Sequence, residues 1–287
     1  MRFRCIFDEE SKRLRLHDCR GPVAVPGFRL GAVALALAIA CCASAQEAFF
    51  KMNEPSWSGS APQVVDSTGH GNDGTAVGGA NTVSDPTYGQ VGGFDGSGQY
   101  VQVGGNTTIS GPWTVTAWIN IPAFSTYLGM PIAVAGVSGA GDFFGVGGTG
   151  GENWGVPQYS LYVDNWGSQD YSSSGQVTPG VWNFVTFVSD GANTINFYID
   201  GASAGSFVGA NIYSWNINTF TLGGATIGGS TTNASLTGDL RDVGIWTSEL
   251  SGGQVQSLYQ AEAVPEPAPL AAFAVAGISL LIRRRKK

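Results

Sequence analysis

The sequence predicts an all-β fold, a two-sheet antiparallel sandwich or jelly roll. Three observations carry that expectation. Glycine occupies 43 of the 287 residues and charged residues only 12%, a composition suited to many turns and little exposed helix. Short runs of alternating apolar and polar residues recur between clusters of Gly, Asn, Asp and Ser. Helical spacing is found only at Ser251 to Tyr259, where Ser251 can cap and Val255, Leu258 and Tyr259 share a face.

In chain order, Leu30 to Cys42 is an apolar run followed by Ala43-Ser44-Ala45. This pattern is that of a signal-peptide helix with a small-x-small cleavage site, which makes Gln46 the new N-terminus after Ala45. The stretch before the run carries Asp8, Glu9, Glu10 and Asp18, and is too long and acidic for an ordinary leader. A later start at Val23 or Val25 would leave Arg29 as the leader's positive charge. An uncleaved N-terminal membrane helix is the alternative. Next, Val115, Ala117, Ile119 and Ile121 alternate with Thr114, Thr116 and Asn120, the period of a half-buried strand. Trp182 to Val188 is apolar on both faces, as in a strand covered twice. Asp190-Gly191 and Asp200-Gly201 are hairpin turns on either side of Ile195, Phe197 and Ile199. Val115, Ala117, Ile119, Ile195, Phe197, Ile199 and Ile245 are expected in the core, together with Trp113 and Trp182. Three regions follow: 1–45 an extension and signal peptide, 46–262 the sandwich, and 263–287 a C-terminal tail.

Charge is distributed unevenly. Between Gln46 and Val264 stand 5 Glu and 11 Asp against only Lys51 and Arg241, a net charge of −14. Such a surface repels phosphate backbones and excludes nucleic acid as a partner. Cys5, Cys19, Cys41 and Cys42 all precede the expected cleavage point. The sandwich therefore has no disulfide, no thiolate nucleophile and no zinc-thiolate site. With His70 its lone histidine, a His-pair metal site is excluded too.

Several segments share one pattern, in order: Asp66 to Thr75, Gly93 to Val101, Trp113 to Ile119, Trp182 to Phe187, Phe197 to Gly201, and Gly238 to Trp246. Together they resemble the laminin-G-like branch of the concanavalin A-like lectin/glucanase superfamily, over about Phe49 to Tyr259. The resemblance implies a concanavalin A-like jelly roll whose members mostly bind rather than catalyse. It also implies one structural calcium ion. In the last motif, however, Arg241 stands where the family usually has the first of two acids, leaving Asp242. Asp66, Asn72 and Asp73 carry hard oxygens suited to Ca²⁺, and the same residues form Asx turns. Asp242 reads as a structural carboxylate that accepts from the backbone or from Arg241, with a cation ligand as the alternative. Gly69 to Gly74 fits G-x-G-x-x-G formally, but with no helix pattern after it the dinucleotide reading fails.

Retaining glucanases of this superfamily carry Glu-x-Asp-x-x-Glu on one strand. The five Glu from residue 46 to 262 are Glu47, Glu54, Glu152, Glu249 and Glu262, none in that spacing, so no enzyme is expected. The candidate ligand surface is Tyr127 to Tyr171, rich in glycine and rings. Trp154, Trp166 and Tyr159 are its candidate sugar-stacking residues, weighed against simple core packing.

The tail has three parts: Pro265-Glu266-Pro267, the apolar run Leu270 to Ile282, and Arg283 to Lys287, all basic. As a helix the run covers roughly 20 Å, short of a ~30 Å hydrocarbon core. The basic end would stay cytoplasmic. The arrangement resembles the PEP-CTERM sorting signal, which implies recognition by an exosortase, at least transient residence in the inner membrane, and delivery to the cell surface or matrix. A plain single-pass anchor is the alternative. The expected function is an exported, surface or matrix protein whose lectin-like domain binds extracellular polysaccharide, with a structural envelope protein as the alternative and a polysaccharide-degrading enzyme behind it.

Overall fold

The computed structural model describes residues 4–8, 13–17, 46–58, 63–123, 130–137, 140–148, 156–165, 169–227 and 230–263. The chain divides into two compact units, Met1–Ser44 and Ala45–Lys287. In the first, β1 (Arg4–Asp8) pairs antiparallel with β2 (Arg13–His17). No strand is expected there from the leader reading, yet Arg13-Leu14-Arg15-Leu16 alternates with period two, the spacing a strand needs. The apolar run Leu30 to Cys42 lies outside the described residues. Among the described residues no helix is long and apolar enough to cross a membrane.

The second unit runs β3 (Gln46–Phe50), β4 (Gly74–Val77), β5 (Asn81–Asp85), β6 (Gly89–Asp95), β7 (Tyr100–Val103), β8 (Thr108–Ile109) and β9 (Trp113–Asn120). It continues with β10 (Met130–Val137), β11 (Ala140–Val146), β12 (Ser160–Asn165), β13 (Gln169–Gln176), β14 (Trp182–Ser189), β15 (Thr194–Ile199) and β16 (Ala202–Val208). The last elements are β17 (Trp215–Asn216), β18 (Thr221–Leu222), β19 (Gly224–Ile227), β20 (Ser230–Ser235), β21 (Thr237–Trp246) and helix α1 (Gly252–Glu262). One sheet has seven strands in the order β13-β12-β11-β10-β18-β7-β4. The other has eight, ordered β16-β15-β14-β9-β21-β6-β5 with β3 also on β21. Every strand pair in both is antiparallel, and the two sheets form a jelly-roll sandwich.

The core lies between the sheets. Val115, Ala117, Ile119, Ile195, Phe197 and Ile245 are buried in it, and Ile199 packs against it half-buried. The two central aromatics differ. Trp113 is in the core, whereas Trp182 is half-buried on the outer face of the eight-stranded sheet. The reason is parity: Val185 and Phe187 face inward, so Trp182 and Phe184 face outward. A strand apolar on both faces carries no sequence mark of which face is inside. At one side the sheet edges are stitched: Ser174 Oγ donates to the Ala204 carbonyl at 2.9 Å, and Tyr171 packs on Phe207 at 4.6 Å. At one end, the short β8–β17 ladder and Ile217 close over the core.

The turns follow their residues. Asp200 and Gly201 both have positive φ, 51° and 75°, the two-residue hairpin that Asp-Gly favours. A Cβ on Gly201 would press within 3.1 Å of Gln256 in α1, so helix and turn are fitted to each other. Helix α1 begins at Ser251, whose side chain accepts from the Gln254 N–H while Gln254 Oε1 accepts from the Ser251 N–H at 2.9 Å. That reciprocal pair is a capping box.

Candidate functional site

The residues expected to hold a cation meet in the turn before β4, and their bonding is internal. Asp66 Oδ1 accepts from the Phe49 N–H, the Thr68 N–H and the Thr68 hydroxyl at 3.1, 3.0 and 2.7 Å. Its Oδ2 accepts from the Asn72 N–H and side-chain amide at 3.1 and 3.2 Å. Asp73 Oδ1 accepts from the Asp66 N–H at 2.8 Å. Burial alone would raise the Asp66 carboxyl, but the bonds from Thr68, Phe49 and Asn72 together hold it below its ordinary value. Five donors occupy the lone pairs of this carboxylate, so Asp66 is spent on the turn and works as an Asx hub. The hub seats on Gly104–Gly105: Gly105 has φ +90°, and a Cβ there would overlap Asn72 Oδ1. Asp242 does not join; its Oδ2 accepts from Arg241. Among the described residues no three His, Cys, Asp or Glu converge as metal ligands. His70 is exposed, its Nδ1 3.1 Å from the Glu47 carbonyl.

The outer face of the eight-stranded sheet is organised around Arg241. Its guanidinium lies 3.7 Å from the Tyr88 ring centroid, 4.4 Å from Trp118 and 5.5 Å from Trp182, an arrangement of stacked cation–π contacts. It also pairs with Asp242 and donates to the Glu262 carbonyl at the C-terminus of α1. A cation there meets the negative end of the helix dipole. Around it, Trp182 Nε1 donates to Asp85 at 3.0 Å, Trp118 Nε1 donates to Glu262 at 3.2 Å, and Trp118 stacks on Tyr259 at 5.6 Å. Burial, then the charge of Asp242, pushes the Glu262 carboxyl up to about 8 despite Trp118 and Arg241. Burial and the charge of Asp85 raise Asp239 in the same region. This assembly closes the face and docks α1. Sequence reasoning saw that Arg241 replaces an acid and could pair with Asp242; the rings around it were missed, because Tyr88, Trp118, Trp182 and Arg241 come from four distant segments.

The outer face of the seven-stranded sheet differs. Val134, Phe143, Val156 and Tyr162 form a second apolar cluster, separate from the core. Phe143 alternates with the core residue Phe144, and Tyr162 sits between Leu161 and Val163, which also point inward, so the cluster lies outside. It draws Val156 of the β11–β12 connection onto the sheet. That connection is fixed at both ends, with the Gly147 N–H donating to the Ser160 carbonyl at 2.8 Å and the Tyr159 N–H to the Gly147 carbonyl at 2.9 Å. Tyr159 has φ +64° and is half-buried against the core. Of the expected ligand surface, Phe144 and Tyr171 are core residues, and Phe143 and Tyr162 hold the connection. Trp154 falls within this connection in sequence, and Trp166 directly follows Asn165 of β12. Both lie outside the described residues, as do Ala45, Pro265, Glu266 and Pro267. Gln46 is the first residue of β3.

One buried carboxylate was not expected. Asp142 on β11 shares the inward face of Phe144 and is 2% exposed. Its Oδ2 accepts from Trp215 Nε1 at 3.0 Å, and its Oδ1 is buried without a partner. Burial pushes this carboxyl up to about 7, with a smaller push from Asp164, against the Trp215 bond. Trp215 in turn packs on Trp113, Phe144 and Phe220 at 5.0, 5.6 and 5.5 Å.

A family model, Laminin_G_3 of the concanavalin A-like lectin/glucanases superfamily, matches residues 95–256, more than half of the chain. No curated protein matches the sequence. Among solved structures, the binding domain of Paraclostridial Mosquitocidal Protein 1 superposes with TM-score 0.57 at 12% identity, covering 77% of this chain and 53% of that one. The ligand binding domain of botulinum neurotoxin serotype D, in complex with N-acetylneuraminic acid, gives 0.57 at 14% identity, with 78% and 52% covered. A botulinum neurotoxin type C structure, from work on cell entry through two ganglioside molecules, gives 0.52 at 14%, with 78% and 52% covered. This chain thus spans about half the length of these proteins. At such identities the likeness is one of fold.

Proposed function

We infer the function from a premise of kinship: this chain belongs to the concanavalin A-like lectin/glucanase superfamily. We propose that it is an exported, non-enzymatic surface or matrix protein whose sandwich binds extracellular polysaccharide. The observation that carries the reading is the second apolar cluster. Val134, Phe143, Val156 and Tyr162 tie the β11–β12 connection to the outer face of the seven-stranded sheet. The opposite outer face is occupied by α1 and the rings around Arg241. We therefore assign the glycan to the seven-stranded side, with Trp154 and Trp166, the rings expected from the sequence, as the stacking faces. The toxin domains of the same fold, one crystallised with a sugar acid and another studied with gangliosides, support a glycan over a protein ligand.

Export rests on the sequence order at both ends: an apolar run with a small-x-small site before Gln46, and Pro265-Glu266-Pro267, an apolar run and a basic end at the C-terminus. In this reading an exosortase in the inner membrane is the sorting partner. Trp154→Ala and Trp166→Ala in the full-length chain, titrated against a polysaccharide panel with melting curves alongside, test the binding face. Loss of one stacking ring should weaken binding by about 1–3 kcal/mol, by analogy with base stacking, and leave the melting temperature unchanged. If both variants melt several degrees lower and no polysaccharide binds the parent, the rings are packing residues and the reading fails.

A further inference from the structure

Resting on the polysaccharide-binding reading, we propose that the ligand is an uncharged glycan, and that the sandwich discriminates against glycans bearing carboxylate or sulfate. The inference comes from where the positive charges are. Recognition of an anionic group on a sugar is strongest from a guanidinium fork or an ammonium group. From Gln46 to Val264 the chain has one arginine and one lysine against 16 acids.

The arginine is not offered to solvent. Arg241 is 5% exposed, lies under Tyr88, Trp118 and Trp182, and directs its fork to Asp242 and the Glu262 carbonyl. Lys51 is half-buried beside β3, on the sheet opposite the proposed binding face. At the start of α1, a common anion site, the Ser251–Gln254 capping box takes up the Gln254 amide. On the seven-stranded sheet, Asp164 alternates with the inward Val163 and so lies on the same outer face as Tyr162. An anionic sugar approaching there meets a carboxylate and a field of net negative sign. At physiological salt that field reaches about 8 Å from the surface.

The proposed ligand class differs from the sugar acid bound by the serotype D neurotoxin domain, about half of which superposes on this chain. A matrix of neutral chains fits: hydroxyl groups hydrogen-bond to Asn, Ser and Asp side chains without paying the desolvation of a second charge against them.

The test compares each polysaccharide with its own charged derivative. Full-length protein is measured by affinity electrophoresis or titration against glucan, mannan and galactan, each as the parent polymer and after carboxymethylation. The expected result is binding to at least one parent, with the carboxymethylated form about tenfold weaker or more at about 50 mM salt and the gap narrowing by about 0.5 M. A carboxymethylated form bound as tightly as its parent, or tighter and weakened by salt, overturns the charge inference and leaves polysaccharide binding standing. No binding to any polymer, charged or parent, overturns the polysaccharide reading itself and this inference with it.

Discussion

Replacing Asp142 by Asn should remove much of the pH dependence of stability between mildly acidic and neutral pH. Its carboxyl is held at about 7 in the fold, against an ordinary 3.8. A carboxyl raised on folding contributes fully below its unfolded value and loses that contribution as pH rises toward the folded one. Stability should therefore fall from about pH 4 to 7, at about 1.4 kcal/mol per pH unit, and stop falling through this group above 7, for a total of about 4 kcal/mol. Asn keeps an acceptor for Trp215 Nε1 but cannot ionise. At pH 7.5 the variant should be the more stable protein. At pH 4.5 it should be no better than the parent, since its amide takes the place of a neutral acid in a site with one partnerless oxygen. Urea midpoints of the full-length chain, followed by tryptophan fluorescence in half-unit pH steps, give both curves. Parallel curves from pH 4 to 7 would show that the carboxyl titrates normally and that the buried-acid argument is wrong. Glu262 moves in the same direction up to about 8, so the residual slope in the Asp142 variant should shrink when Glu262→Gln is added, what remains belonging to groups such as the raised Asp239.

Two further outcomes are expected. Arg241→Gln leaves Asp242 without its buried partner and should destabilise by about 3–5 kcal/mol; hydrogen exchange should speed up first in α1, and uniform acceleration across both sheets would contradict the docking role. Changing Pro265-Glu266-Pro267 to three alanines should leave export intact but hold the protein at the inner membrane; unchanged surface display in the native host would reduce the tail to an anchor.

What the sequence revealed divides by range. Period-two alternation identified the inward residues of β9 and β15, and Asp200-Gly201 identified its own hairpin, because both signals are local. Ser251 marked the start of α1 for the same reason. The Arg241 assembly was illegible because Tyr88, Trp118, Trp182 and Arg241 stand far apart in the chain and meet only when β9, β14 and β21 lie side by side. Asp142 was passed over although it sits two residues before Phe144. Parity pairs it with Phe144, but Phe143 stands on the other face of β11, so the strand carries no sequence mark of which face is inside. The Asp66 turn kept two readings open, since calcium sites and Asx turns draw on the same residues; only the donors around each oxygen separate them.

The docking of α1 has a mechanical consequence. Past its last turn, the Tyr88 hydroxyl donates to the Ala263 carbonyl at 3.5 Å, followed inward by the Arg241 bonds to Glu262, the Trp118–Tyr259 stack, and buried Leu258 and Val255. A pull on the chain beyond Ala263 loads these contacts one after another and peels the helix away like tape. Until that is done, the load reaches β21 through the Arg241 side chain rather than along its backbone. The helix is thus a mechanical fuse: it can yield and re-seat under tension while the sheets stay paired.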